Sequence, residues 1–230
     1  MTTFAKELLV WFQEHGRKNL PWQSSPPNTY HVWLSEIMLQ QTQVATVVDY
    51  FNNFIIRFPT LTELANADEG EVLANWAGLG YYSRARNLHK TAKIIFSEYQ
   101  GIVPNSYSEL IALPGIGEST AGAILSLAYN QSSPILDGNV KRVLSRYHRV
   151  VGHYNDSKFL KELWRLAKYH TPSKQNAKYT QAIMDLGATI CVPQKPHCSE
   201  CPVSRNCKAN LYNDQASFPQ KNTKTTRPEK

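Results

Sequence analysis

Leu113-Pro114-Gly115-Ile116-Gly117 is the stretch that decides how this chain folds. It lies between Ser106–Ala112 and Glu118–Tyr129, two segments of helical pattern. Two glycines around one apolar residue allow a turn that other residues would strain. Leu113 and Ile116 can plug the groove between the flanking helices. The amides of Gly115, Gly117 and their neighbours then stand at a helix N-terminus, where unpaired N–H groups and the helix dipole favour a phosphate oxygen. On these residues alone, a plain αα-hairpin with a glycine turn explains the stretch equally well.

Outward from this turn, helical periodicity dominates and period-two alternation is scarce. Phe4, Leu8, Trp11 and Phe12 form a stripe on a first helix that ends near Gly16. A turn-rich segment with Pro21, Pro26 and Pro27 follows. Tyr30–Gln41 reads as a second helix and Val44–Phe58 as a third, stopped by Pro59. Asp68 can cap a short helix bearing Val72, Leu73 and Trp76. Ser83–Tyr99 is longer and is closed by Gly101 and Pro104. Beyond the hairpin, Gly138–Val150, Ser157–His170 and Lys174–Ile190 complete the set. The pattern predicts an all-α fold. Asn213–Lys230 is polar and rich in threonine and lysine, which predicts a linker or tail without a core of its own.

The chain has 230 residues, 42% of them hydrophobic, and a formal charge of +7. That length suffices for one large helical domain or two small ones. No apolar run is long enough to span a bilayer, so no membrane is expected. The sequence pI of about 9.2 favours a polyanionic partner, although charge alone is a weak signal. Lys6 and Glu7 interrupt what a signal peptide would need as an apolar run.

All four cysteines fall in the C-x6-C-x2-C-x5-C run Cys191, Cys198, Cys201 and Cys207. Four thiolates are soft ligands that select zinc or an iron–sulfur cluster. Two disulfides would suit a small secreted domain instead. Zinc sites usually show two close pairs, and here only Cys198 and Cys201 make one. The cysteine usage fits a reducing compartment. Together with the hairpin and the basic charge, the cysteine run tilts the reading toward DNA.

Four motifs in one order carry a resemblance. They are Val32–Gln43 (VWLSEIMLQQTQ), Gly78–Leu88 (GLGYYSRARNL), the hairpin, and Pro134–Arg142 (PILDGNVKR), with the cysteine spacing added. The chain resembles the helix-hairpin-helix base-excision glycosylases that hold a [4Fe–4S] cluster, and within them the MutY-type adenine glycosylases. The resemblance covers nearly the whole chain. It implies two helical domains with a DNA cleft between them: residues 27–132 as a six-helix domain with the hairpin motif at 106–129, and residues 1–26 with 133–212 as a cluster domain with its loop at 191–207. Residues 213–230 are left as linker. It further implies a monomer in the cytoplasm, associated with the nucleoid. The partner would be double-stranded DNA containing adenine opposite 8-oxoguanine or guanine. The longer members carry a second, C-terminal domain that aids 8-oxoguanine recognition. Without it, adenine excision should persist with a weaker preference for 8-oxoguanine over guanine.

The same resemblance assigns roles. Glu36 would protonate adenine at N7 and later activate water. Its setting among Trp33, Ile37, Met38 and Leu39 favours a retained proton. Read without the family, it is a surface glutamate on an amphipathic helix. Asp137 would face the sugar cation or attack C1′. It also reads as an N-cap, and a helix N-terminus favours the ionised form. Asn139 would orient the site. Ser119 stands where bifunctional relatives such as endonuclease III carry a Schiff-base lysine, which implies a monofunctional enzyme. Gln41 and Tyr81 would wedge into the duplex. Leu113, Gly115, Gly117, Lys18, Lys141 and Lys195 would contact DNA, the last in a loop with His197 and near Arg205 and Lys208. Trp22, Gln23, Leu39 and Gln181 would line the adenine pocket, although Trp22 reads equally well as core. Two rivals remain: a thymine or uracil mismatch glycosylase of the same fold, and a non-catalytic helix-hairpin-helix DNA-binding protein.

Overall fold

A computed structural model of the chain describes residues 1–220. It contains twelve α-helices and no strand among the described residues. In order they are α1 (Thr3–His15), α2 (Thr29–Met38), α3 (Val44–Arg57), α4 (Leu61–Asn66), α5 (Glu69–Asn75), α6 (Tyr82–Glu98), α7 (Tyr107–Ala112), α8 (Glu118–Tyr129), α9 (Gly138–His148), α10 (Ser157–His170), α11 (Asn176–Asp185) and α12 (Lys208–Leu211). No helix is long and apolar enough to cross a membrane among the described residues.

The chain divides into two compact units. The first comprises Met1–Gly16, Leu136–Ser173 and, among the described residues, 181–220; the second comprises Arg17–Ile135 and Lys174–Thr180. The second unit packs α2 on α8, α4 on α6, and α3 on α5. Its core gathers Trp33, Phe51, Phe54, Phe58, Trp76 and Leu88, all fully buried. Each such side chain removed from water contributes about 1.5–3 kcal/mol. The helix α4 has no counterpart in the sequence-based reading, yet its signal is present. Thr60 and Glu63 form a reciprocal capping box, the T-x-x-E pattern that starts a helix.

The second helix stops at Met38, short of the expected Gln41. The cause is local: Gln41 takes a left-handed φ of 59°, and Arg84 captures the carbonyls of Ile37, Met38 and Gln40 that a further turn would have used.

In the first unit, α9 packs against α10, α12 and the π-type turn Leu186–Ile190. Phe4 of α1 sits between the rings of Tyr147 and His170, at 4.7 and 4.5 Å. The N-cap Thr2 Oγ1 lies 3.0 Å from His170 Nδ1, and His170 Nε2 lies 2.8 Å from His148 Nε2. Burial, reinforced by Lys208 and Arg165 around His148 and by His148 beside His170, lowers both imidazoles to about 4.

The linker reading of 213–230 is corrected for its first part. Phe218 is buried, Asp214 pairs with Arg149 at 2.7 Å, and the Gln220 amide donates to the Gly152 carbonyl. Arg146 explains the docking, because its Nε donates to the carbonyls of both Gln215 and Phe218. The remaining residues, 221–230, lie outside the described residues.

Candidate functional site

The hairpin joins α7 to α8. Gly115 takes φ +81°, whereas Gly117 has φ −90° and open space where a Cβ would go. Only Gly115 is therefore needed for the turn. Gly117 is the N-cap of α8 and offers no side-chain acceptor to its first turn. The N–H groups of a helix's first turn are the ones that anion binding at a helix N-terminus uses. Thr91 Oγ1 donates to the Pro114 carbonyl at 2.8 Å, and Gln40 Nε2 donates to the Gly115 carbonyl at 3.3 Å. Leu113 and Ile116 are each 5% exposed. The Leu113 side chain thus belongs to the core of its unit.

Gln41, Tyr81 and Gly115 line one cavity of about 240 Å³ together with Gln40, Arg84 and Asn87. Gln41 and Tyr81 are both exposed and both left-handed, with φ of 59° and 50°. Arg84 lies within the Gly78–Leu88 motif, and nothing in its local sequence signals a role.

Glu36 stands half-buried on α2, between the buried Ser35 and Ile37. Ser119 is half-buried on the first turn of α8, and Lys18 is exposed. Of the residues expected to line a base pocket, Trp22 is core, edge-on to Phe51 at 5.4 Å. The amide of Gln23 is used at both ends within its own loop, accepting from the Leu20 N–H and donating to the Arg17 carbonyl. Leu39 packs partly buried against the core of its unit. Gln181 is buried and donates to Asp185 Oδ1 at 2.9 Å, one turn along. The amides of Gln23 and Gln181 are thus committed to intramolecular bonds, and Trp22 to packing.

Asp137 is the N-cap of α9. Its Oδ1 accepts the Val140 N–H at 2.7 Å. Asn139 Nδ2 lies 3.5 Å from Oδ2. Burial raises the Asp137 carboxyl above its ordinary range and outweighs the Val140 amide, the Arg142 charge and the Asn139 contacts that lower it. Burial thus opposes the ionised form that a helix N-terminus favours. Arg142 then organises the neighbourhood. It donates to Asn139 Oδ1 at 2.8 Å, to the Gly187 carbonyl at 2.7 Å and to the Cys191 carbonyl at 2.7 Å. Lys141 points its ammonium at the Tyr154 ring, 5.7 Å from the centroid.

Cys191, Cys198, Cys201 and Cys207 line one cavity, with Arg146 beside them. All four are free thiols of intermediate exposure. Among the described residues, no three His, Cys, Asp or Glu side chains converge tightly enough to grip one metal ion. Arg146 Nη1 reaches Cys191 Sγ at 3.5 Å. Burial pushes the Cys198 and Cys207 thiols up, and the Cys201 thiol to about 12; charge on the neighbouring sulfurs raises all three further. Four cysteines lining one cavity match the donor set of an iron–sulfur cluster or a zinc ion. Lys195, with φ 49°, and His197 are exposed on the intervening loop. Arg205 and Lys208 are exposed nearby in sequence.

Residues 34–169 match the model of the HhH-GPD superfamily of base excision DNA repair proteins. The adenine DNA glycosylase of Buchnera aphidicola from Acyrthosiphon pisum is 47% identical over 227 residues, covering 99% of this chain and 65% of that protein. The human adenine DNA glycosylase is 41% identical over 223 residues, covering 94% of this chain and 41% of that protein. The chain thus spans under two thirds of the length of these relatives. A thermostable thymine-DNA glycosylase superposes with a TM-score of 0.79 at 25% identity, over 91% of this chain and 95% of that one. An endonuclease III from a DNA complex superposes with a TM-score of 0.76 at 22% identity, over 91% and 94%.

Proposed function

We propose, given that this chain belongs to the HhH-GPD superfamily of base excision DNA repair proteins, that it is a monofunctional glycosylase hydrolysing the N-glycosidic bond of adenine mispaired with 8-oxoguanine or guanine. The observation that carries this reading is identity of 41–47% with two proteins named adenine DNA glycosylase, along nearly all of this chain.

The chemistry sets two demands. Adenine leaves poorly unless protonated, and the departing sugar develops cationic character. A carboxylic acid and a carboxylate meet these demands, as in glycoside hydrolysis. Glu36 supplies the proton to adenine N7 and then takes one from the attacking water. Asp137 faces the sugar. Its charge is poorly solvated in the free protein, so a cation forming beside it gains more than it would beside a hydrated carboxylate. Asn139, held by Arg142, fixes the carboxylate's position. Ser119 has no amine with which to form an imine, so the product is an abasic site without strand cleavage. The amides at Gly115 and Gly117 grip a phosphate and carry no sequence information. Gln41 and Tyr81 wedge the duplex while the target nucleotide is extruded.

Cys191, Cys198, Cys201 and Cys207 would hold a [4Fe–4S] cluster. Bound there, it would supply positive charge for four half-buried thiolates and cross-link the loop that carries Lys195. The protein acts as a monomer on double-stranded DNA in a reducing, cytoplasmic compartment.

A panel of duplexes tests the proposal. Adenine should be released opposite 8-oxoguanine and guanine, with strand breaks appearing only after alkali. Thymine release from a G·T pair, or tight duplex binding without base release by iron- and sulfide-loaded protein, would replace it with one of the two rivals.

A further inference from the structure

Two residues of the second unit, Gln41 and Tyr81, hold a left-handed backbone although each carries a large side chain. Such conformations are unfavourable for any residue with a Cβ and persist only where the surroundings over-determine them. One side chain flanks both. Arg84 is 8% exposed. Its Nη1 donates to the carbonyls of Ile37, Met38 and Gln40 at 3.1, 2.7 and 2.6 Å. Its Nη2 donates to Thr42 Oγ1 at 3.1 Å and to the carbonyls of Leu79 and Gly80 at 3.2 and 3.3 Å. Gln40 and Thr42 bracket Gln41, and Leu79 and Gly80 lead directly into Tyr81. The guanidinium also lies 5.4 Å from the Trp76 ring and 5.3 Å from the Tyr81 ring.

We infer that Arg84 is a positioning residue that locks the two wedge loops in their strained form and so makes extrusion of the target nucleotide possible. The inference rests on the proposed adenine-glycosylase reading and deepens it. No carboxylate is among these partners. The cation is held by carbonyl and hydroxyl dipoles from two separate loops, which a planar fork can reach at once. A lysine ammonium has three N–H groups on one point and cannot span both. A group whose only task was to cap α2 would need the acceptors of residues 37–40 alone. The contacts at 42, 79 and 80 are the ones that tie the loops to each other. Once the fork is gone, both residues relax toward ordinary φ, and the wedge no longer meets the duplex as a rigid pair.

The test uses the full chain in a Glu36→Gln background, so that base loss is slow on the time of the measurement. 2-Aminopurine replaces the target adenine in a duplex, and its brightening on unstacking is read at saturating protein, with occupancy set by anisotropy. Arg84→Lys and Arg84→Met should bind the duplex but lower the extruded fraction by about 30-fold, since the strained loops no longer drive the exchange. Thr42→Val, which removes one acceptor, should lower it about threefold. Equal brightening in folded Arg84 variants at full occupancy would overturn the inference. If the Arg84 variants do not fold, Thr42→Val decides: an unchanged amplitude sinks the inference and a selective fall supports it. A parent chain (Glu36 intact) that releases no adenine, with no brightening in the Glu36→Gln background, would remove the functional reading, and this inference with it.

Discussion

Gly187→Ala offers a severe check on how the Asp137 region is built. An ideal Cβ on Gly187 would lie 2.6 Å from Asn139 Cβ, 3.1 Å from its Cα and 3.2 Å from its carbonyl carbon. Carbon contacts are most favourable at about 3.5–4.0 Å, so the added methyl demands an opening of about 1 Å. No rotamer change can supply it, because two of the three atoms are backbone and the third is fixed to them. The first turn of α9 must retreat from the Leu186–Ile190 turn, carrying Asp137 and Asn139 and stretching the 2.7 Å bond from Arg142 to the Gly187 carbonyl. Overpacking of this kind costs about 1–3 kcal/mol. For a chain of this size, each kcal/mol lowers the melting temperature by about 2–4 °C. A displacement of about 1 Å at a reacting group costs on the order of 10²-fold in rate. Melting and single-turnover adenine release are measured side by side, with Gly138→Ala as control. Nothing lies within 4 Å of a Cβ at Gly138, so its stability should stay within about 0.5 kcal/mol of the parent. A Gly187→Ala protein that melts and reacts like the parent would refute the packing argument.

Glu36→Gln should reduce single-turnover adenine release by about 10²–10⁴-fold, the usual worth of a general acid, while duplex affinity holds. A loss under tenfold would remove Glu36 from the chemistry. Asp137→Asn should also be inactive, yet no less stable at pH 7–8. Burial disfavours the aspartate charge in the folded state, and asparagine caps a helix as well as aspartate does. A stability loss above about 1 kcal/mol would contradict that balance. The His148–His170 pair predicts acid sensitivity. Both imidazoles fall to about 4 in the folded chain, from an ordinary 6.5, so the unfolded chain binds more protons between these values. Their contribution is therefore complete above about pH 6.5 and is lost as the pH falls toward about 4. Denaturation midpoints across that window should drop for the parent and flatten for His170→Asn; equal slopes would exclude the pair.

The helices were legible because their apolar stripes repeat with one period and their caps are ordinary. Asp68 and Asp137 cap as their positions imply, and the Val44 and Glu118 starts coincide with the expected ones. Apart from α4, whose capping box is local, what escaped has a tertiary cause. The helix α2 ends early because an arginine far along the chain takes its carbonyls, a contact that no local pattern announces. Residues 213–220 look like linker by composition, yet they fold because Arg146 supplies donors to their carbonyls. At the site, the residue types that carry chemistry were visible as motifs: Glu36, Asp137, the four cysteines and the glycine turn. The adenine-pocket residues were less so. Glutamine and tryptophan serve a loop or a core as readily as a ligand, and only coordinates show that the Gln23 and Gln181 amides are already engaged. Arg84, Arg142 and Arg146 were missed for a related reason. Sequence reading treats arginine as surface charge, whereas each of these spends its fork on backbone carbonyls.

One helix connects the two chemistries of the first unit. The N-cap of α9 is Asp137, and Arg142 and Arg146 follow one turn apart on the same helix. Both reach the Cys191 carbonyl, at 2.7 and 3.4 Å, and Arg146 adds the carbonyls of Val192 and Pro193. The chain leaving the Leu186–Ile190 turn presents several carbonyls in one direction, and planar forks satisfy them where lysines would leave most unpaired. Half-buried carbonyls left without donors cost about 1–3 kcal/mol each, so the cysteine loop keeps its path only while α9 keeps its place. The dependence runs in both directions. If the loop frays, Arg142 loses the Cys191 acceptor, its hold on Asn139 Oδ1 loosens, and the amide beside Asp137 is free to turn. The order of a thiol-lined loop thus reaches a carboxylate through one guanidinium and one amide.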